Sequence, residues 1–312
     1  MEQQPVVCVV GPTASGKTKL AITLAKELDG EIINMDSMQI YRRMDIGTAK
    51  PSLAERQGIK HHLLDILEPH ESFTVAQYAK AAQDTIREVG TRGRLPILTG
   101  GTGFYLRALT QELQLGGIRS DDELRRRLKR EAETPEGKLR LFSRLEQIDP
   151  KTAARLHPND VQRVTRAIEV YELTGKPFSH QQPALQTHTM SFCMLGTTMD
   201  RAMLYTRINA RVERMMEQGL LREVQALLHN NVPATAQAMQ GIGYKEIVAA
   251  LAGETSIQEA VQRIQQHTRH YAKRQWTWFR AEPRVQWLDM ARKENTAMAL
   301  QMAKTFWKEA NQ

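Results

Sequence analysis

The chain has 312 residues, 41% of them hydrophobic, which suffices for one large or two ordinary packed domains, and it has no run of about 18 apolar residues such as a membrane helix needs. Its net charge of +8 is unevenly placed: residues 1–118 carry 13 Lys+Arg and 13 Asp+Glu, whereas residues 119–312 carry 30 and 22, a basic excess that fits a polyanionic partner or a plain solubility charge. Cys8 and Cys193 lie far apart in no metal-ligand spacing, and the N-terminus has no basic stretch leading to an apolar segment, so reduced thiols, no secretory signal and a cytoplasmic location are expected.

Val6 to Val10 reads as a buried parallel strand and Lys17 to Leu28 as the helix that follows. Glu31 to Asp36 (EIINMD) is a second strand, Thr74 to Gly90 a helix, and Leu95 to Leu98 a third strand running into GGTGFY. Strands alternating with helices predict an α/β fold, a P-loop NTPase-like parallel sheet with flanking helices. The character then changes: DDELRRRLKREAE, LRLFSRLEQ and NDVQRVTRAIEVYEL are charged, helical and poor in strand signals. They predict an all-helical insertion at 112–190, leaving 1–111 and 191–312 as the core. Ser191 to Thr197 returns as a strand, and Arg201 to Asn230 reads as one long amphipathic helix with Leu204, Ile208, Val212 and Met215 at helical spacing. Gly243 to Leu251 and Ile257 to Arg280 follow as helices, and VQWLD (285–289) as a last short strand.

Between the first strand and helix stands GPTASGKT: Gly11, Pro12, Thr13, Ala14, Ser15, Gly16, Lys17 and Thr18. This is G-x-x-x-x-G-K-[ST] in the strand–turn–helix context that the motif requires. Glycines let backbone N–H groups approach an anion, the helix N-terminus adds its positive dipole end, Lys17 supplies a mobile charge and Thr18 a hydroxyl for Mg²⁺. A kinase or NTPase would also carry an apolar strand ending in a Mg²⁺-binding Asp. EIINMD qualifies, yet the strand at 95–98 ends in TGGT with no acid, and the acid in EIINMD is followed by the hydrogen-bonding stretch SMQIY.

With DSMQIY (36–41) beside the cradle, the sequence resembles the tRNA dimethylallyltransferases, also called tRNA isopentenyltransferases. The resemblance continues through DIGTAKP (45–51), HHLLD (61–65), GGTGFY (100–105), HPNDVQRVTRAIEV (157–170), IGYKE (242–246) and KRQWTWFR (273–280), in the family's order along nearly the whole chain. It implies transfer of a five-carbon allyl group from dimethylallyl diphosphate to N6 of the adenosine just 3′ of the anticodon. The partners implied are the tRNA anticodon arm and the allyl diphosphate, with Mg²⁺ as cofactor; no membrane is implied, and a monomer is expected. The cradle then holds a diphosphate that leaves. It also implies that Thr102 contacts the reacting region, that Arg201 reaches the diphosphate and that Arg125 touches tRNA. Asp36, at a strand end where parallel sheets place ligands, is the candidate base, with Mg²⁺ ligation through water as its other reading; for Thr102 the other reading is a turn hydroxyl. Ser37, Met38 and Gln39 are expected to hold a flipped-out base, and an amide such as Gln39 can donate to and accept from an adenine edge together. Gln162, Arg163 and Arg166 on the insertion, Gln240, Gly241, Gly243 and Lys245, and then Lys273, Arg274, Trp276 and Arg280 are expected to grip the RNA. Trp276, Trp278 and Phe279 divide between stacking and core, with at least one in the core. The run 121–131 reads equally as a solvated face or an RNA contact, and His61 and His62 as structural. Three other readings stand open: a small-molecule P-loop kinase, an adenylate isopentenyltransferase acting on free nucleotide, and a non-enzymatic RNA-binding protein.

Overall fold

In the computed structural model the described residues are 3–110, 121–180 and 189–310. The chain divides into two compact units, Met1–Gln111 with Thr187–Gln312, and Glu112–Gln186. The first is built on β1 (Gln4–Val10), α1 (Lys17–Glu27), β2 (Gly30–Asn34), a single turn α2 (Leu53–Arg56), the edge strand β3 (His61–His62), α3 (Val75–Thr91), β4 (Leu95–Thr99) and α4 (Gly103–Thr110). The second unit holds α5 (Asp122–Glu131), α6 (Pro135–Ile148), α7 (Pro150–Ala153) and α8 (Val161–Thr174). The first resumes with β5 (Met190–Thr198), α9 (Arg201–Gln218), α10 (Leu220–His229), α11 (Tyr244–Leu251), α12 (Ile257–Arg280), β6 (Val285–Asp289) and α13 (Glu294–Glu309).

The six strands form one parallel sheet in the order β3-β2-β4-β1-β5-β6. Its central strands are buried on both faces, which is why β1 and β4 read as continuous apolar runs. On one face Val7, Val9, Ile32, Ile97 and Leu195 pack against Leu20, Leu24, Ala299 and Ala303 of α1 and α13. A separate core joins the segment after β2 to the helices after β5: Ile40, Tyr41 and Met44 pack with Val224, Tyr244 and Ile264. The second unit has its own core of Leu128, Leu141, Leu145, Val164 and Ile168, as a helix cluster requires.

Two expectations change, and one short strand is added. The second strand ends at Asn34, so Asp36 lies in the following loop, held there by side-chain bonds that no propensity records. The helix expected over 201–230 is two helices, broken at Gly219 with φ 104. His61 and His62 form a two-residue strand, paired with Ile32 and Ile33.

Candidate active site

β2, β4 and β1 lie side by side, and their C-terminal ends carry Asp36, Thr102 and the cradle respectively. The cradle leaves β1 through Gly11, whose φ is 138; a Cβ there would sit 2.4 Å from the Thr197 carbonyl oxygen on β5, so the turn can pass the sheet only as glycine. Ser15 is fully buried, and its hydroxyl meets the Thr197 hydroxyl at 2.5 Å and the Pro12 carbonyl at 2.7 Å. That side chain shapes the loop and is not free for an anion. Among the cradle amides, Thr13 N donates to Gln275 Oε1 at 2.7 Å and Ser15 N to Pro12 O at 3.3 Å. Lys17 Nζ donates to Pro12 O at 2.8 Å. Thr18 is exposed on the first turn of α1, with Gly16 at φ 101 as N-cap.

Burial of the Lys17 ammonium, with Arg211 beside it, pushes its pKa down to about 7, while Asp36 pulls it up. Arg211 comes from α9 and reaches Thr13 Oγ1 at 3.5 Å. Burial and its neighbours Arg207 and Arg214 hold that guanidinium below the ordinary arginine range. The cradle therefore faces two partly desolvated cations that an anion would relieve. Arg201, the arginine expected there, stands at the start of α9, exposed, with Nε on the Tyr205 hydroxyl at 3.2 Å and its guanidinium 5.2 Å from the Tyr205 ring centre. It lines a cleft with Pro12, Lys273, Trp276 and Arg280. Arg211 was not foreseen. Its signal is the spacing of Arg207, Arg211 and Arg214 on one helical face.

Asp36 is set by Asn34. The Asn34 side chain accepts from Asp36 N at 3.2 Å and donates to the Asp36 and Leu63 carbonyls, each at 3.1 Å. Tyr78 anchors the same turn through Asn34 O at 3.1 Å. The Asp36 carboxylate accepts from Met38 N at 2.9 Å. Its pKa is raised, because burial outweighs the backbone hydrogen bonds and the attraction of Lys17. The Thr102 hydroxyl accepts from Ser37 N at 3.0 Å and lies 3.4 Å from Ser37 Oγ, so it ties the Asp36 loop to the end of β4. Gln39 spends both amide hydrogens on the Thr48 and Ala49 carbonyls, at 3.1 and 3.2 Å. Its Oε1 is left to accept, which narrows the expected two-way reading of an adenine edge to one.

The remaining expected contacts separate by element. Gly241 presses on Met38, since a Cβ would lie 2.5 Å from Met38 Cε. Gln240 bonds the Ala234 carbonyl, Gly243 N caps onto Glu246, and Lys245 is exposed on the first turn of α11. On α12, Lys273, Arg274 and Arg280 are exposed, Arg280 lies 4.2 Å over the Trp276 ring, and Arg274 lies 5.8 Å from that of Tyr271. Phe279 is fully buried, whereas Trp278 is exposed against the edge of Phe104. In the second unit Gln162 and Arg163 are exposed, and Arg163 pairs with Asp160. Arg125 and Arg166 share the buried carboxylate of Glu169 at 2.8 and 2.7 Å; burial alone would raise that group, but the two arginines hold it below the ordinary range. Glu169, which fixes both arginines, was not singled out in the sequence.

An anion cradle with two cations at the end of β1, and a carboxylate of raised pKa after β2 with only β4 between, suits the departure of an anionic group while a proton is accepted nearby. A family model described as IPP transferase matches residues 39–282. The tRNA dimethylallyltransferase of Acetivibrio thermocellus is 49% identical, over 91% of each chain, and that of Geobacter metallireducens 48%, over 96% of this chain and 97% of the relative. The solved tRNA isopentenylpyrophosphate transferase of Bacillus halodurans superposes with a TM-score of 0.75 at 42% identity, covering 99% of this chain and 98% of its own. A eukaryotic dimethylallyltransferase acting on tRNA gives 0.79 at 29% identity, over 99% of this chain and 80% of its own. The fold, the cradle with its facing carboxylate and the near full-length similarity agree: the chain belongs to the IPP transferase family, as a transferase enzyme of the tRNA dimethylallyltransferase kind.

Proposed function

We propose that this enzyme moves the dimethylallyl group of dimethylallyl diphosphate to N6 of the adenosine 3′-adjacent to the anticodon of a tRNA. The bond from the allylic carbon to the diphosphate oxygen breaks, the N6–carbon bond forms, one N6 proton passes to Asp36, and diphosphate leaves from the cradle. The observation that carries this reading is that Asp36, a buried carboxylate of raised pKa, lies near enough to the cradle for its charge and that of Lys17 to act on each other, while the end of β4 offers Thr99, Gly100, Gly101 and Thr102 and no acid. N6 is a poor nucleophile because its lone pair is delocalised, so the reaction needs an aligned acceptor, a base and a stabilised leaving group. Asp36 serves as the base, Lys17 and Arg211 take up the leaving charge, and Gln39 Oε1 accepts from a base edge.

Thr18 suits Mg²⁺: its hydroxyl is a hard oxygen donor on the exposed first turn of α1. When bound, the ion neutralises charge on the leaving diphosphate. Thr18 and the donor's own oxygens would hold it. The anticodon arm is the proposed RNA partner, gripped by Arg125, Gln162, Arg163 and Arg166 and by Lys273, Arg274 and Arg280. The enzyme acts as a cytoplasmic monomer.

The test is incubation with unmodified tRNA, dimethylallyl diphosphate and Mg²⁺, followed by nucleoside mass analysis. One added five-carbon unit on the adenosine beside the anticodon is expected. Transfer to free AMP alone, or phosphoryl transfer from ATP, would replace this reading.

A further inference from the structure

Within the cationic, aromatic stretch KRQWTWFR one polar side chain points inward. Gln275 is buried, 4% exposed, while Lys273 and Arg274 on the same turn face solvent. Its Oε1 accepts from Thr13 N of the cradle at 2.7 Å, and its Nε2 donates to the Gly101 carbonyl at 2.9 Å. One amide thus spans the two loops that carry the opposite halves of the site. The fit is close: a Cβ on Gly101 would lie 2.0 Å from Gln275 Nε2. Tyr271, one turn earlier on α12, reaches the same carbonyl at 3.4 Å and backs the contact. From Gly101 the chain passes directly to Thr102, whose N–H bonds Met35 O at 3.2 Å and whose hydroxyl takes Ser37 N, next to Asp36.

We infer that Gln275 is a positioning residue that sets the distance between the leaving-group cradle and the base that receives the proton. The inference rests on the dimethylallyl-transfer reading above. The attacking nitrogen must lie in line with the breaking carbon–oxygen bond, and a misplacement of about 1 Å lowers the rate about 100-fold without touching the chemistry itself. A glutamine suits the task because its amide donates and accepts from one planar group, and both its partners are backbone groups. The position of Gln275 between RNA-facing neighbours gives it a role distinct from theirs.

The experiment uses the full chain with tRNA and dimethylallyl diphosphate. The unaltered enzyme is assayed first; if it transfers nothing, the functional reading fails before Gln275 is tested. Gln275→Met keeps length and packing and removes both hydrogen bonds. Gln275→Glu keeps the acceptor for Thr13 N but turns a carboxylate oxygen toward the Gly101 carbonyl. The single-turnover rate at saturating substrates is expected to fall about 10- to 100-fold in each. The Kd of dimethylallyl diphosphate should stay within about threefold of the parent in Gln275→Met; Gln275→Glu, which adds a negative charge behind a cradle amide, is read by its rate. Both variants break the bridge, so one that does not fold leaves the rate of the other as the test. A rate within about threefold of the parent in a folded variant overturns the inference. So does an equal loss in donor affinity in Gln275→Met, which would make Gln275 part of the cradle, or weakened tRNA binding with normal single-turnover chemistry, which would make it an RNA contact. A deficit that disappears on cooling below the variant's Tm would reduce it to a packing residue.

Discussion

Asp36 and Lys17 are opposite charges held in one partly dry site, and each is perturbed in the direction that burial dictates. For Asp36 the raised pKa means that the ionised, proton-accepting form is gained at higher pH than for a free carboxylate. Asp36→Asn keeps the shape and the bond from Met38 N, so both substrates should bind nearly as before, while turnover falls about 100- to 10,000-fold, the scale of a positioned base. Partial rescue by excess Mg²⁺ in a metal titration of this variant would move Asp36 from base to metal ligand. For Lys17 the sign is opposite. Its pKa near 7 means that the charge is present below that pH and is lost above it, so at pH 8 roughly one free molecule in ten carries it. An anion in the cradle restores the charge, so binding at pH 8 draws a proton from solution. Calorimetry of inorganic diphosphate binding in buffers of different ionisation enthalpy should show roughly one more proton taken up by the parent than by Lys17→Met at pH 8. The difference should vanish at pH 6. Equal uptake at pH 8 would mean that Lys17 is already charged in the free enzyme.

At the scale of elements, the loop that follows Asp36 is held by a helix far along the chain. Glu223 on α10 accepts from the N–H groups of Asp45, Ile46 and Gly47 at 2.9, 2.8 and 3.0 Å and from the Tyr244 hydroxyl at 2.6 Å. The same loop continues to the Thr48 and Ala49 carbonyls that orient Gln39. Inside it, Lys50 is buried and bonds Asp45, Asp65 and the Tyr41 carbonyl. Glu223→Ala leaves three amides and a hydroxyl to water, since the carboxylate is only half-buried, and should lower stability by about 2 kcal/mol in denaturant titration. It should also raise KM for tRNA while leaving donor affinity unchanged; a normal KM would uncouple this loop from the acceptor. Contacts of this kind explain what could be read in advance. The cradle is contiguous, and α12 carries a long helical period behind the Ser256 cap, so both were legible. The break at Gly219 was not, because Leu220, Val224 and Leu227 continue an apolar pattern through it. Nor was β3, since two residues show no period, or α13, whose buried face is only Ala299 and Ala303. Arg211 and Gln275 escaped for another reason. Each is one inward side chain on a helix otherwise rich in exposed cations, and only packing against the cradle distinguishes it from its neighbours.

For the whole molecule, the placing of charge bears on where the proposed RNA partner would be held. The excess of Lys and Arg past residue 118 does not sit chiefly in the helical insertion: residues 112–186 carry 14 cations and 12 anions, residues 187–312 carry 16 and 11. The insertion's cations are also partly spoken for. Arg125 and Arg166 share Glu169, Arg127 and Arg144 share Glu172, and Arg163 pairs with Asp160. On α12, Lys273, Arg274 and Arg280 are exposed, and the two arginines rest on aromatic rings, not carboxylates. Each cation that neutralises a phosphate releases counterions and steepens the salt dependence of binding, by about 0.7 to 0.9 in the logarithmic slope. A cation already matched by a carboxylate contributes less, because contact with a phosphate must compete with its partner. Replacing Lys273, Arg274 and Arg280 together by Ala should therefore flatten the slope of tRNA affinity against salt by about 2. Replacing Arg125, Arg163 and Arg166 together should flatten it by about 1 or less, with part of the loss due to the buried Glu169 left unpaired. Affinity titrations from 50 to 300 mM salt, about the range over which such slopes are read, decide between them. A larger change from the insertion set would show that RNA displaces the ion pairs of Glu169 and Asp160, and would make the insertion the main electrostatic grip.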